Sequence, residues 1–237
     1  ASVTGMRFST ELVQDIFPIT QEKTMVPGFL KENNRAGLIL HERIDGGNGY
    51  SFHNGITREV AYEMILSEQK KKLHHEIANW YETNFHQNLN AIYARLAYHW
   101  EKAGDNAKAA DYLEKESIHL FSNGFARQSV DVGLKGVELL GVKIERDQAV
   151  IGPSIGMNMG KIMALMGDRK PSDLISLKSL EDPAIDRTIS KLLRIGPLAF
   201  QSQQIELFAL ISVTCLRITL EHGSGTAAAD VYSMYSP

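Results

Sequence analysis

The grouping that comes nearest to a chemical site is His74-His75-Glu76, with His53 and His86 to either side in sequence. A helical zinc site of the H-E-x-x-H kind needs two histidines four residues apart so that both face the same way. His74 and His75 are adjacent, so on a helix they diverge by about 100 degrees. They read as surface or packing histidines. A phosphate cradle needs G-x-x-x-x-G-K-[ST] between a strand and a helix. The glycines from Gly152 to Gly156, and from Gly156 to Lys161, lack the Ser or Thr after Lys161 and follow no strand pattern. No G-x-S-x-G elbow is present for a serine hydrolase. Cys215 is the single cysteine, which excludes an internal disulfide and a Cys-rich zinc site, and its apolar surroundings predict a small buried hydrophobe. Met157, Met159, Met163 and Met166 recur at helical spacing and read as adaptable core or a partner groove. Lys70-Lys71-Lys72, three neighbours pointing in three directions, read as a solvated face. No catalytic, cofactor-binding or metal-ligating residue is assigned.

The chain has 237 residues, 43% of them hydrophobic, which suffices for a sizeable core. A formal charge of -3 and a pI near 6.3 give no electrostatic reason to expect nucleic acid or an anionic membrane. The most apolar window, Leu207 to Leu220, is broken by Arg217 and falls short of the roughly 20 apolar residues that span a bilayer. The opening at Ala1 and the stop at Pro237 read as those of a piece excised from something longer. A reducing cytoplasm fits the cysteine usage.

The elements that would position these residues follow from periodicity. Ser9 to Phe17 predicts a short helix capped by Ser9 or Thr10 and ended by Pro18, and Glu22 to Asn33 predicts a second. Leu38 to Ile44 and Tyr50 to Phe52, joined by Asp45-Gly46-Gly47-Asn48-Gly49, predict a β-hairpin. This order matches a winged helix, with the hairpin as wing. Val60, Ala61, Met64 and Ile65 then form one apolar stripe, and Leu73, Ile77, Trp80 and Tyr81 another, with Ser67 as the expected cap between them. Helices are predicted over Ala91 to Ala103, Ala107 to Phe121, Ala126 to Leu140, Ile155 to Met166, Ile185 to Arg194, Gln203 to Leu220 and Thr226 to Tyr235, with no strand signal. Short glycine turns between helices predict a stacked solenoid. The fold class expected is mainly α: a winged-helix domain over 1–83 with a small β-hairpin, then a tetratricopeptide-like α-solenoid over 84–237. Residues Glu22, Lys23, Lys31 and Glu32 of the second helix sum to zero charge, which argues against DNA recognition.

Ala1 to Phe8, ASVTGMRF, resembles the A-S-V-x-G-x-x-F segment that follows the ATPase lid of large multidomain signalling proteins. Phe52-His53, Arg58-x-x-Ala61-Tyr62 and Leu73-His74-x-x-Ile77-Ala78 look like the signature that follows it. Leu96 to Asp105, with Ala107, Ala109, Ala110, Tyr112 and Leu113, is similar to their first tetratricopeptide-like hairpin. Met163 to Leu174 and the ending around Leu220 to Tyr235 also look like that repeat region. The family is that of STAND-type AAA-ATPase proteins, comprising class III adenylate or guanylate cyclases and related multidomain kinases. One departure is a lysine among Lys70, Lys71 and Lys72 where the family often has arginine.

The resemblance implies a non-catalytic regulatory and protein-interaction fragment, cytoplasmic, without a cofactor of its own and without membrane contact. Its parent would bind ATP and Mg and carry a cyclase or, alternatively, a kinase output. Partners would be the upstream ATPase and output domains of the same chain, against which His53 and Arg58 could face, and a protein on the repeats. A DNA-binding winged-helix regulator is the competing reading.

Overall fold

The computed structural model describes residues 1–44, 47–85, 89–169 and 177–233. The described chain is mainly helical, with a small three-stranded antiparallel sheet near its start. It divides into two compact units, Ala1–Asp105 and Asn106–Pro237, so the division lies after the helix that ends at Ala103, beyond the 83/84 position expected from the sequence.

In the first unit, strand β1 (Arg7–Ser9) leads into helix α1 (Thr10–Asp15), a 3-10 turn over Thr20–Met25 and helix α2 (Val26–Arg35). Strands β2 (Ile39–Ile44) and β3 (Gly47–Phe52) follow, with β3 in the middle of the sheet. Phe8 stands opposite Tyr50, and Ile39 opposite Phe52. The inward faces of these strands and of α1 and α2 bury Phe8, Val13, Val26, Leu30, Tyr50 and Phe52 in one core. Helices α3 (Gly55–Glu63), α4 (Ser67–Asn84) and α5 (Tyr93–Ala103) complete the unit.

Several local expectations change here. The first helix begins where expected, with the Ser9 hydroxyl accepting from the Leu12 N–H at 3.1 Å, but Arg7–Ser9 is a strand that the helical pattern concealed. The second predicted helix is split, because Pro27 cannot donate its backbone nitrogen and fits only in the opening turn of α2. Ser67 is not a cap: Leu66 holds that position and no side chain bonds to the end of α4. Val60 and Met64 do not join an apolar interface, being 57% and 81% exposed. The turn residues Asp45 and Gly46, and His86, lie outside the described residues, as does 170–176, which takes in Leu174.

The second unit consists of α6 (Asn106–Ser122), α7 (Ala126–Leu139), α8 (Gln148–Met166), α9 (Pro183–Gln201), α10 (Ile205–His222) and α11 (Ala228–Ser233). Helix α7 packs on α6 and α9, and α10 packs on α8, α9 and α11. Helices α8 and α9 are longer than their apolar patterns predict: both start at an aspartate cap, and α9 also runs through Pro197 to Gln201. Asp147 accepts from the Ala149 N–H at 3.0 Å and Asp182 from the Ala184 N–H at 2.8 Å. The last predicted helix is shorter, and Tyr235 lies outside the described residues. An isolated parallel bridge between Ser179 and Ser224 is a β feature that no pattern announced.

The apolar window from Leu207 to Leu220 is the central helix α10, buried through Leu210–Leu216. Its hydroxyls stay satisfied by bonding back one turn: Thr214 Oγ1 donates to the Leu210 carbonyl at 2.7 Å and Thr219 Oγ1 to the Cys215 carbonyl at 3.0 Å. Arg217 reaches out of the core, its Nε donating to Asn158 Oδ1 at 2.7 Å. Cys215 is fully buried, as expected, and desolvation pushes its thiol up to about 12. Among the described residues, the helix long and apolar enough to cross a membrane, by length and composition, is α8, of which only 11% of the apolar window is buried. Three of its methionines are therefore not core: Met157, Met159 and Met163 are 62%, 38% and 70% exposed.

Two helical glycines in this unit have opposite tolerances. At Gly133 on α7 an added Cβ would stand 2.8 Å from Ile195 Cγ1 and 3.0 Å from Ser117 Oγ, so α6, α7 and α9 meet there only because no side chain intervenes. Gly133→Ala is expected to cost about 1–3 kcal/mol by overpacking. At Gly156 on α8 a Cβ would meet nothing within 4 Å. Gly156→Ala is therefore expected to stabilise by about 0.5–1 kcal/mol, since alanine restricts the unfolded backbone and favours the helix. Urea midpoints of the two variants should move in opposite directions, and a shift of the same sign in both would contradict this account of the packing.

A charged network ties α6 to α9. Asp111 and Glu114 lie three residues apart on α6, and Arg187, Lys191 and Arg194 recur at intervals of four and three on α9. Each set therefore lies along one helix face. Lys191 Nζ donates to Asp111 Oδ1 and to Glu114 Oε2, both at 2.7 Å, with only 4% of its side chain exposed. Arg187 reaches Asp111 at 3.3 Å, and Arg194 reaches Glu114 at 3.1 Å.

Candidate functional site

Four of the residues quoted for the sequence resemblance come together in the first unit. Tyr62 at the end of α3, His74 on α4, and Tyr98 and His99 on α5 form a polar and aromatic knot. Helix α3 supplies Tyr62 because Asn54 caps it, its side chain accepting from the Thr57 N–H at 2.8 Å. Helix α4 supplies His74 from its buried stripe, one turn before Ile77 and Ala78, which are fully buried.

Both imidazoles are withdrawn from solvent, His74 at 0% and His99 at 1% exposure. His74 Nδ1 lies 2.9 Å from His99 Nδ1, and the Tyr62 hydroxyl lies 3.1 Å from His74 Nε2. One proton can occupy the line between the two Nδ1 atoms, which fixes the rest of the chain. If His74 donates through Nδ1, its Nε2 accepts from Tyr62. If His99 donates instead, His74 Nε2 carries the proton and the Tyr62 oxygen accepts. In both arrangements the two rings are neutral. Burial is the main cause that lowers His74 to about 4, with Lys102 adding to it, and burial likewise lowers His99 to about 3, with His74 and Arg95 contributing. Desolvation is also the main cause that raises the Tyr62 phenol, and Lys70, whose ammonium lies 4.3 Å from the ring centroid, partly offsets it.

The remaining candidates disperse. His75 is half exposed and meets the Trp100 ring edge-on at 5.1 Å. His53 is exposed beyond the end of β3. Arg58 donates to the Ser2 carbonyl at 3.4 Å and lies 5.9 Å from the Tyr62 ring centroid, so it is held within its own unit. The three lysines do not share one role: Lys70 pairs with Glu63 at 3.0 Å with 17% of its side chain exposed, and Lys71 pairs with Glu68 at 2.9 Å. Among the described residues, no three His, Cys, Asp or Glu side chains group so as to hold a metal. Gly156 and Lys161 lie inside α8, where helical backbone offers no phosphate cradle.

Comparisons with protein-family models, with curated proteins and with solved structures gave no match.

The sequence missed the pairing of His74 with His99, since the two are 25 residues apart. The available signal was that each histidine sits inside an apolar helical stripe, beside Ile77 and Leu96 respectively. A histidine in such a position needs a buried partner. Chemically the trio can exchange tautomers, and its proton positions are linked from Tyr62 to His99. The cavities at α1 in this unit are lined by other residues, so no space for a substrate opens onto the trio from them.

Proposed function

We propose that the chain is a non-catalytic regulatory fragment: a winged-helix domain followed by tetratricopeptide-like repeats, from a STAND-type ATPase protein with a cyclase or kinase output. The observation that carries this reading is the sheet order β1-β3-β2, with α1 and α2 between β1 and β2, which is the connectivity of a winged helix with β2 and β3 as its wing. The signature residues Tyr62 and His74 lie in hydrogen-bond contact at 3.1 Å, which supports reading them as parts of one motif. In the second unit the packing of α6 on α7 and of α9 on α10, with α7 also on α9, supports the repeat reading, while α8 departs from it by packing on α10. Cytoplasmic residence, protein partners on the repeats and an ATP-binding, Mg-dependent parent belong to the same proposal.

The reading frame on both sides of these residues tests it. A G-x-x-x-x-G-K-[ST] motif between a strand and a helix is expected upstream of Ala1, and its absence from the complete frame removes the reading. The purified chain is expected to turn over neither ATP nor GTP, and metal-dependent turnover that survives further purification would equally overturn it.

A further inference from the structure

A cavity of about 690 Å³ opens in the first unit between α1, β3 and the C-terminal end of α4. Glu11 and Asp15 line it from successive turns of α1, Trp80 and Phe85 form an aromatic wall, and Asn48 and Asn84 add amide groups. The two rings stand 5.9 Å apart at 57°. Trp80 Nε1 donates to Asp15 Oδ2 at 2.8 Å, which fixes that carboxylate and leaves Oδ1 without a bond among the described residues. Glu11 is exposed and makes no ion pair among the described residues. Among the described residues, no lysine, arginine or histidine lines the cavity. Lys23 donates to the Asp15 main-chain carbonyl and not to its carboxylate. The Thr10 hydroxyl, also in the lining, is buried without a partner.

We propose that this cavity is a receptor for a guanidinium group. Two carboxylates without a facing cation among the described residues supply the charge, and the Trp80 indole supplies the kind of aromatic surface that a planar cation uses best. Carboxylate and amide oxygens at several points match the fork of N–H donors on guanidinium better than the three-fold head of an ammonium. The volume is that of an organic ligand site and far exceeds what a bare metal ion occupies. The guanidinium can be delivered by an arginine side chain in a polypeptide or by a small free guanidine. The proposal stands whether or not the regulatory reading does, because it uses only the chemistry of the cavity wall.

The test uses the full chain, titrated with N-acetylarginine methylamide and with the peptide acetyl-Gly-Gly-Arg-Gly-Gly-amide, while tryptophan emission and heat of binding are recorded. The citrulline counterpart of each probe has the same shape without the charge. Saturable binding of the arginine probes, weakened about tenfold by Glu11→Gln or Asp15→Asn and absent for citrulline, is the expected result. Tighter binding of the peptide assigns the source to a polypeptide, and tighter binding of the small derivative assigns it to a free guanidine. Equal binding of citrulline, no saturable heat with either arginine probe, or affinity unchanged in the Glu11→Gln variant, whose exposed side chain carries no fold contact, overturns the proposal.

Discussion

Converting Asp111 and Glu114 together to Asn and Gln is expected to destabilise the chain by about 3–5 kcal/mol, whereas Lys191→Met is expected to cost about 1 kcal/mol or less. The asymmetry follows from exposure. The Lys191 side chain is 4% exposed while that of Asp111 is 44% exposed, so the ammonium cannot turn to water when its acceptors are neutralised. The carboxylates, by contrast, keep Arg187 and Arg194 after Lys191 is gone. Methionine also retains the apolar stem that lies along α9. Urea unfolding of the two variants measures both costs. If Lys191→Met proves the more damaging, the network is held by the carboxylates' need for charge and not by the burial of the lysine.

Acidification is expected to unfold the first unit through its histidine pair. The folded values of His74 and His99, about 4 and about 3, lie below the ordinary histidine value of 6.5. Protons therefore bind the unfolded chain first. The stability that comes from holding both rings neutral is complete above pH 6.5 and drains away as the pH falls through the interval down to the folded values. Between pH 6.5 and pH 4.5 the loss should be about 2–4 kcal/mol for the pair, with solvent screening keeping it under the two-proton limit. A variant carrying His74→Gln and His99→Gln should start less stable and show a flatter profile over that interval. A profile as steep as that of the unaltered chain would assign the acid sensitivity to carboxylates.

Both results depend on contacts that local pattern only half disclosed. Helix positions were legible because apolar residues recur with the helical period: Val130, Leu134 and Val137 lie on the buried face of α7 as that period requires. The hairpin was legible from its glycine-rich turn. Strand β1 was not, because three residues, Arg7–Ser9, are too few to show alternation and are held by Ser51 and Tyr50, more than 40 positions away. The start of α8 was missed because Gly152 and Pro153 interrupt its apolar pattern after the Asp147 cap, and the end of α9 because Gly196 and Pro197 read as a stop although the helix runs through them to Gln201. The methionines of α8 were read as core or partner groove, and only the core half fails, since periodicity reports which residues share a face and not whether anything covers it. Of the candidate site, His74 was legible only as a surface or packing histidine. Its partner His99, and the cavity walls contributed by α1 and α4, depend on tertiary placement that adjacent residues do not encode.

The position of Cys215 decides when its sulfur can react. Its sulfur is enclosed by the helices around α10, and its proton is held far above the pH of any cell. The thiolate, the form that reacts with oxidants and alkylating agents, is therefore almost absent from the folded chain. Such reagents meet the sulfur only after α10 parts from its neighbours. Oxidative damage at this residue is thus a record of past unfolding, and a sulfur modified during one opening would hinder α10 from closing again.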